Sequence, residues 1–538
     1  MSSFLVLLFG AAISSAFAST LVTVKNGTIR GVHSKEWDQD LFLGIPYALP
    51  PTGQLRFRWP QSINESYAEE LVATRYGDSC YQYNNYYTMS EDCLTLNVIR
   101  PAGYQNVSLP VIVWLYGGGL YWGSSADPQY NMSGIVKTAA ESEPFIGVSF
   151  NYRLGIWGFL STPEVQAEGS SNAGLLDQRM AMRWVQENIA AFGGDPARVT
   201  LWGESAGAQS IAYHMHSYDG RDDKLYSAAI LESGSTVGCQ LNALPYYNVA
   251  HENLTRSVGC WTSSDRLNCL RSLSSEALYE ARQSLTWNPI VDGEFLTGYP
   301  ASQLAPAGKF VKVPLLIGTN TDEGVGFSIR GTNTTEDLFN ALLSWRNYVL
   351  SPPSVNKLLE LYPEDPAIGT PEYLKTNQTF PSYGLQWRRS GSIGGDLVMH
   401  SGRRKMSEQY SNAGVRDVYS YRFDTPLWNA SVATLPAGGV KHFDNVVFSF
   451  QNISGAIGPQ PEYQHYTAHA TTIGKAYAAF VSRHNPNYNG SFLPHWPTYE
   501  VQEPKNMVLN ASDSWVEDDT WRKEGIAFIN EISRELLA

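Results

Sequence analysis

Residues 198–215 read RVTLWGESAGAQSIAYHM, and this stretch decides how the rest of the chain is interpreted. Residues 198–202 are typical of a short strand and residues 208–215 of a helix, which leaves GESAG as the turn between them. A turn this sharp strains the backbone at Ser205, where Gly203 and Gly207 have no Cβ to clash. The turn lifts the hydroxyl of Ser205 clear of the sheet, at a helix N-terminus where negative charge is favoured. Ser205 is therefore the candidate nucleophile.

An apolar run followed by three glycines lies upstream of this turn. Residues 109–116 (LPVIVWLY) form a continuous apolar run, as expected of a strand buried on both faces. Gly117, Gly118 and Gly119 follow directly, and glycines let backbone N–H groups approach a bound molecule closely. A serine that attacks a carbonyl builds negative charge on oxygen, which requires preorganised N–H donors. We predict that Gly118 and Gly119 supply two donors and that Ala206, the residue after the serine, supplies a third.

The alternation of strand, turn and helix recurs along the chain. Further strands are predicted at residues 144–152, 228–231, 313–317 and 418–423, and a helix over residues 175–192. This pattern predicts an α/β fold with a mostly parallel sheet, helices on both faces, and chemistry beyond the carboxyl ends of the strands. The more helical segments 240–310 and 330–410 are expected to wall a pocket. No repeat or linker divides the chain, so residues 19–538 are predicted to form one catalytic domain.

A nucleophilic serine needs a histidine base and an acid that orients it, in the chain order serine, acid, histidine. Asp322 and Glu323 follow the predicted strand at 313–317, and sequence chemistry does not separate them. His442 follows a glycine-rich bend and is the candidate base, although spacing alone does not decide between it and eight other histidines after Ser205. His465 and His469 lie four residues apart, but no Glu follows His465 as in the zinc-binding HExxH pattern. Because a serine, histidine and acid mechanism needs neither a metal nor an organic cofactor, we predict none.

Two features of the sequence, an N-terminal signal and a set of glycosylation sequons, indicate the secretory route. Residues 1–18 have an apolar run that ends in Ala-Phe-Ala, which predicts a signal peptide and an extracellular protein. No later stretch is long enough to cross a bilayer, so no integral membrane association is expected. Eleven acceptor sequons for N-glycosylation are present, at Asn26, Asn64, Asn106, Asn131, Asn253, Asn333, Asn377, Asn429, Asn452, Asn489 and Asn510.

Cysteine usage agrees with an oxidising compartment. Of five cysteines, close spacing favours the pairs Cys80–Cys93 and Cys260–Cys269 and leaves Cys239 free, but spacing alone does not settle the pairing. The net charge of −13 disfavours nucleic acid and anionic membranes as partners. Oligomeric state is left open.

Several motifs together resemble the type-B carboxylesterase/lipase family, which includes fungal lipases and cholinesterases, over nearly the whole mature chain. They are residues 42–48 (FLGIPYA), 55–57 (LRF), 90–94 (SEDCL), 151–153 (NYR), 172–178 (NAGLLDQ), 203–207 (GESAG), 232–234 (ESG) and 322–324 (DEG). The resemblance implies the α/β-hydrolase fold, with Glu323 as the acid and His442 as the base. It also implies the disulfides Cys80–Cys93 and Cys260–Cys269 and two structural ion pairs, Arg56–Glu91 and Arg153–Asp177.

One departure from the family narrows the expected function. The loop between Cys80 and Cys93 is short, where the family's true lipases have a long flap over the site, and it carries Tyr81, Tyr83, Tyr86 and Tyr87. We therefore predict a secreted carboxylic ester hydrolase that forms an acyl-enzyme on a small-molecule or lipid ester. A lipase or sterol esterase is the alternative. A non-catalytic adhesion or carrier module is disfavoured, because serine, acid and base are all present.

Overall fold

The computed structural model of the protein describes residues 20–84, 86–282, 287–428, 438–453 and 463–538. The predicted signal peptide and the sequon at Asn429 lie outside these residues. Within them, an eleven-stranded sheet forms the centre of the molecule. Its strands in chain order are β1 (Val32–Ser34), β2 (Gln39–Pro46), β3 (Thr95–Pro101), β4 (Leu109–Leu115), β5 (Ile146–Phe150), β6 (Gly194–Glu204), β7 (Ala228–Glu232), β8 (Leu315–Asn320), β9 (Val418–Phe423), β10 (Lys505–Leu509) and β11 (Trp515–Asp518).

The sheet is parallel at its centre and antiparallel at its edges. In space its order is β11-β10-β9-β8-β7-β6-β4-β5-β3-β2-β1. Strands β4 to β10 pair in parallel, whereas β11 at one edge and β3, β2 and β1 at the other pair antiparallel. Parallel neighbours require crossover connections, and here helices supply most of them. The predicted mostly parallel α/β sheet is confirmed.

Ten helices of eight or more residues surround this sheet in the described part of the chain. They are α1 (Ser133–Ala140), α2 (Ala173–Asn188), α3 (Ala206–Gly220), α4 (Leu244–Ser257), α5 (Thr335–Leu342), α6 (Pro352–Leu361), α7 (Trp387–Gly395), α8 (Ser401–Asn412), α9 (Gln464–Arg483) and α10 (Lys523–Glu531). Every residue of β4, β5, β7 and β8 is buried, as expected of strands that are covered on both faces. No helix in the described ranges is long and apolar enough to cross a bilayer.

Most predicted elements are present with bounds that differ by a few residues, and two of these differences have a structural explanation. The strand predicted at 313–317 runs instead over β8, because Gly318 and Asn320 still pair with Tyr421 and Phe423 of β9. Their polar character made them resemble loop residues. The helix predicted at 175–192 ends as α2 at Asn188, and a tighter 3₁₀ turn continues to Phe192.

The covalent and ionic features implied by the family resemblance are present. Disulfides join Cys80 to Cys93 and Cys260 to Cys269, and Cys239 is free and buried. The ion pairs Arg56–Glu91 (2.9 Å) and Arg153–Asp177 (2.7 Å) are both buried.

Candidate active site

Ser205 occupies the tight turn between β6 and α3. Its backbone angles, φ 55° and ψ −124°, are strained for a residue with a side chain. The turn packs so closely on β4 that a Cβ at Gly207 would lie 2.0 Å from the carbonyl oxygen of Leu115. A Cβ at Gly203 would lie 2.7 Å from the carbonyl carbon of Gly207. Glycine at both positions therefore allows the turn to present the serine.

The structure brings three predicted residues into one hydrogen-bonded chain. His442 Nε2 lies 2.9 Å from Ser205 Oγ, and His442 Nδ1 lies 2.6 Å from Glu323 Oε2. The other carboxylate oxygen of Glu323 accepts hydrogen bonds from the backbone N–H of Asn320 at 2.8 Å and the hydroxyl of Ser233 at 2.5 Å. Because Glu323 is fully buried and held at both oxygens, it fixes the orientation of the imidazole.

Asp322, the other candidate acid, points away from the histidine. Its Oδ1 accepts a hydrogen bond from the backbone N–H of Glu372 at 2.7 Å, and its Oδ2 accepts one from Val440 at 2.9 Å. Burial raises the pKa of Asp322 to about 7. Since Val440 lies two residues before His442, Asp322 anchors the loop that carries the histidine.

Other histidines after Ser205 serve the core. His214 Nε2 lies 2.9 Å from Gln178 Oε1, and His400 Nδ1 lies 3.0 Å from Thr319 Oγ1. Burial lowers the pKa of both histidines well below the ordinary value, so both are neutral. Within the described residues, no three His, Cys, Asp or Glu side chains converge as a metal site.

The predicted N–H donors lie beside the serine. Gly118 and Gly119 have φ values of 91° and 66°, and the carbonyl of Gly118 accepts hydrogen bonds from the N–H groups of Tyr121 and Trp122. In the described ranges, the N–H groups of Gly118, Gly119 and Ala206 donate to no protein acceptor. The turn that follows β4 is thus folded so that its own carbonyl is satisfied while these donors stay available.

Sequence reasoning missed Glu204, the residue before the serine. Its Oε1 lies 3.3 Å from His442 Nε2, and its side chain is buried. Burial raises the pKa of Glu204. Burial by itself lowers the pKa of His442, but the carboxylates of Glu204 and Glu323 outweigh it and raise that pKa above the ordinary value of histidine. The sequence did contain a signal for this residue, because GESAG has an acid directly before the serine. The prediction for that motif used only its serine and its glycines.

A cavity of about 600 Å³ opens over Ser205 and His442. Both predicted wall segments contribute to it: Gln240 and Asn288 come from 240–310, and Arg346 comes from 330–410. This confirms the prediction made for those segments. The remaining wall is largely aromatic, with Tyr86, Tyr87, Tyr121, Trp122, Tyr130, Phe327 and Phe443.

Comparison with known proteins agrees with this geometry. A model of the carboxylesterase family matches residues 18–528. Lipase 4 of Diutina rugosa is 32% identical over 97% of this chain and 97% of its own length. Secreted triacylglycerol lipase LIP1 of Gibberella zeae is 30% identical over 96% of this chain and 91% of its own. The crystal structure of Aspergillus niger EstA matches with a TM-score of 0.83 and 28% identity, covering 96% of this chain and 99% of that one. The chain belongs to the carboxylesterase family, with the α/β-hydrolase fold, and is a carboxylic ester hydrolase.

Proposed function

We propose that Ser205, His442 and Glu323 hydrolyse esters through an acyl-enzyme. Ser205 Oγ attacks the ester carbonyl carbon while His442 Nε2 takes the hydroxyl proton, and the same nitrogen then donates that proton to the leaving alcohol. Water, deprotonated by His442, then attacks the acyl carbon; the bond from that carbon to Ser205 Oγ breaks, the acid is released, and His442 returns the proton to Ser205 Oγ. Glu323 orients the imidazole and stabilises its charged form. The observation that carries this proposal is the continuous hydrogen-bonded chain from Ser205 to Glu323 at the cavity floor.

The unpaired N–H groups suit the negative charge that forms on the carbonyl oxygen. We infer that Gly118, Gly119 and Ala206 donate to this oxyanion. Their lack of protein acceptors supports this role, because donors that are already in place need no reorganisation when the charge develops. In comparable enzymes, loss of one such donor lowers kcat by about 10²–10³-fold. The reaction uses no cofactor in this scheme, and residues 19–538 act as one catalytic domain.

The loop between Cys80 and Cys93 favours esters in solution over lipid aggregates. The loop is closed by its disulfide, Tyr83 stacks on Tyr121 with ring centroids 6.0 Å apart, and the hydroxyl of Tyr87 donates to Asp127. Such a short, pinned segment leaves the cavity open without an oil surface. The alternative is a lipase, which is favoured by the names of relatives such as Lipase 4 and LIP1.

Acyl-chain length and substrate aggregation separate the two candidates. We expect kcat/KM for 4-nitrophenyl esters to be highest for short acyl chains, and the rate on tributyrin to rise smoothly through its solubility limit. An abrupt rise in rate at that limit, together with a preference for long chains, would establish the lipase instead. The N-terminal signal and the relative named as secreted support export of the mature protein.

Burial separates the predicted glycosylation sites into buried asparagines and exposed ones. Asn26 Nδ2 donates to the carbonyl of Ile63 at 3.1 Å, and Asn452 Nδ2 donates to that of Gln129 at 3.0 Å; both side chains are buried. A glycan on either nitrogen is incompatible with these contacts, so we expect both asparagines unmodified in secreted protein. The exposed acceptors are Asn64, Asn106, Asn253, Asn333, Asn377 and Asn489. Peptide mass spectrometry after enzymatic deglycosylation in heavy-oxygen water tests this, and a labelled Asn26 or Asn452 would contradict it.

The pH dependence of kcat/KM should reveal the effect of Glu204 on His442. The base must be neutral to accept a proton, so kcat/KM rises with pH through the pKa of His442. Replacing Glu204 by glutamine removes one carboxylate that favours the protonated imidazole, and the midpoint of this rise should move to lower pH by about one pH unit. Asp127→Asn, which alters a carboxylate in the same cavity that does not contact His442, should leave the midpoint in place. An unmoved midpoint in Glu204→Gln would show that Glu204 does not act on the base.

A further inference from the structure

Arg346 is a cation in the cavity wall that lacks an anionic partner. Its Nη2 donates to the carbonyl of Gly238 at 3.1 Å, while its buried Nε has no acceptor in the described part of the chain. Among the described residues, no Asp or Glu lies within 4.0 Å of its guanidinium. Many buried arginines of this protein, such as Arg56 and Arg153, each meet a carboxylate, whereas the buried Arg388 instead donates to several backbone carbonyls. Arg346 differs from both kinds of structural arginine, because in the described ranges it has a single backbone acceptor and no carboxylate, which leaves guanidinium N–H groups for an anion.

The guanidinium lies close to the reacting groups. Its carbon is 5.6 Å from the centroid of the Phe327 ring, and that ring packs edge-on against His442 with centroids 5.1 Å apart. One aromatic ring therefore separates the cation from the base. Arg346 holds this place on a strained backbone, with φ 53°, and Asn347 beside it has φ 59°. Strain of this kind persists where the surrounding structure holds a side chain in place.

Neutral donors accompany the arginine. Gln240 is 5% exposed and lines the same cavity, and within the described ranges its Nε2 meets no acceptor at hydrogen-bonding geometry. Its Oε1 is already occupied by Asn288 Nδ2 at 3.1 Å, which leaves the amide with donors to offer. Arg346 Nε and Gln240 Nε2 are thus two buried donors without an acceptor among the described residues, and an incoming acceptor could satisfy them.

The acids of the cavity do not neutralise this wall. Glu204 faces His442, and Asp127 accepts from the hydroxyl of Tyr87 and the backbone N–H of Gln129. We propose that Arg346 and Gln240 form a subsite for a carboxylate that the ester substrate itself carries, on its acid part or its alcohol part. A guanidinium and an amide N–H together match the geometry of two carboxylate oxygens. The substrate class is then half-esters of dicarboxylic acids or esters of hydroxy acids; this inference rests on the proposed ester hydrolysis at Ser205.

Two pairs of chromogenic or ultraviolet-absorbing esters test the subsite. Mono-4-nitrophenyl adipate and 4-nitrophenyl 6-methylheptanoate have acyl parts of similar shape, but only the first carries a carboxylate. Likewise, 4-acetoxybenzoate and 4-isopropylphenyl acetate differ by a carboxylate on the alcohol part. For each ester, kcat and KM are compared between wild type and Arg346→Gln.

We expect Arg346→Gln to lower kcat/KM for one carboxylate ester by about 10- to 100-fold more than for its neutral counterpart, mainly through KM. The pair that responds tells whether the acid or the alcohol part reaches the subsite. Arg346→Lys should retain part of the preference. Arg330→Gln is the matched control for net charge, because Arg330 is exposed and lies over the Tyr383 ring at 4.4 Å, outside the cavity lining, and it should affect both esters of a pair equally.

Equal effects of Arg346→Gln on charged and neutral esters in both pairs would overturn the subsite. So would a wild-type enzyme whose KM for the carboxylate esters matches that of Arg346→Gln. Either result leaves ester hydrolysis intact, because the neutral esters are still turned over. Failure of the proposed function would look different: wild type would hydrolyse none of the four esters.

Discussion

Replacing Ser205 by alanine is expected to lower kcat by about a millionfold for every ester that the protein hydrolyses. In the proposed mechanism the hydroxyl oxygen forms the acyl-enzyme, and no other described hydroxyl contacts His442 Nε2. The residual rate would come from the oxyanion donors and substrate binding alone. Turnover of 4-nitrophenyl butyrate, followed with concentrated enzyme, measures the loss, and the thermal unfolding midpoint shows whether the variant is folded.

Labelling by a phosphonate serine trap provides the control. Wild type should take up one phosphonate per molecule, and Ser205→Ala should take up none. Ser210→Ala is a matched serine variant, since Ser210 lies one turn along α3 and its hydroxyl donates to the carbonyl of Ala206 at 2.8 Å. It should label as wild type does. Equal labelling of Ser205→Ala and wild type would exclude Ser205 as the nucleophile, and an unlabelled wild type would favour a non-catalytic role.

Replacing Glu323 by glutamine is expected to lower kcat by about 10⁴-fold. A neutral amide can neither stabilise the imidazolium nor hold His442 in the tautomer that accepts the serine proton. The adjacent carboxylate offers a stringent comparison, because Asp322 lies one residue away and contacts the backbone of Glu372 and Val440 instead of the imidazole. Steady-state kinetics of Glu323→Gln and Asp322→Asn, measured side by side, give the two effects.

Asp322→Asn should reduce kcat by less than about tenfold while lowering the free energy of unfolding by about 1–3 kcal/mol, because one of its two backbone N–H partners loses its acceptor. Urea unfolding measures that difference. A larger loss of kcat in Asp322→Asn than in Glu323→Gln would assign the acid to Asp322. The two variants thus test whether Glu323 serves catalysis while its neighbour Asp322 anchors the loop.

Most of the fold could be predicted because its signals are local. The continuous apolar run that became β4 and the strand, turn and helix around Ser205 each depend on residues that are close in sequence. The end of β8 could not be predicted in this way, since Gly318 and Asn320 look like loop residues until β9 pairs with them. Hydrogen bonds to a distant strand can extend an element whose own residues have weak preference for it.

The residues of the candidate site likewise divide into those that local sequence predicts and those that only the folded chain brings together. Ser205, with its glycines and the donors around it, was determined by the sequence itself, because a sharp turn between a strand and a helix admits few residue types. Family resemblance chose Glu323 over Asp322, and the physical reason appears only in the folded chain, where one carboxylate faces His442 and its neighbour faces the backbone.

Only the tertiary structure placed Glu204 against His442, and only it gathered Gln240 and Arg346 into one cavity wall. These contacts join segments that are far apart in the chain, and no local pattern of hydrophobicity or turn residues encodes which of them will meet. The sequence determined the local turn that carries Ser205, the proposed nucleophile, whereas the packing of distant segments around it decided the charge of the surrounding site.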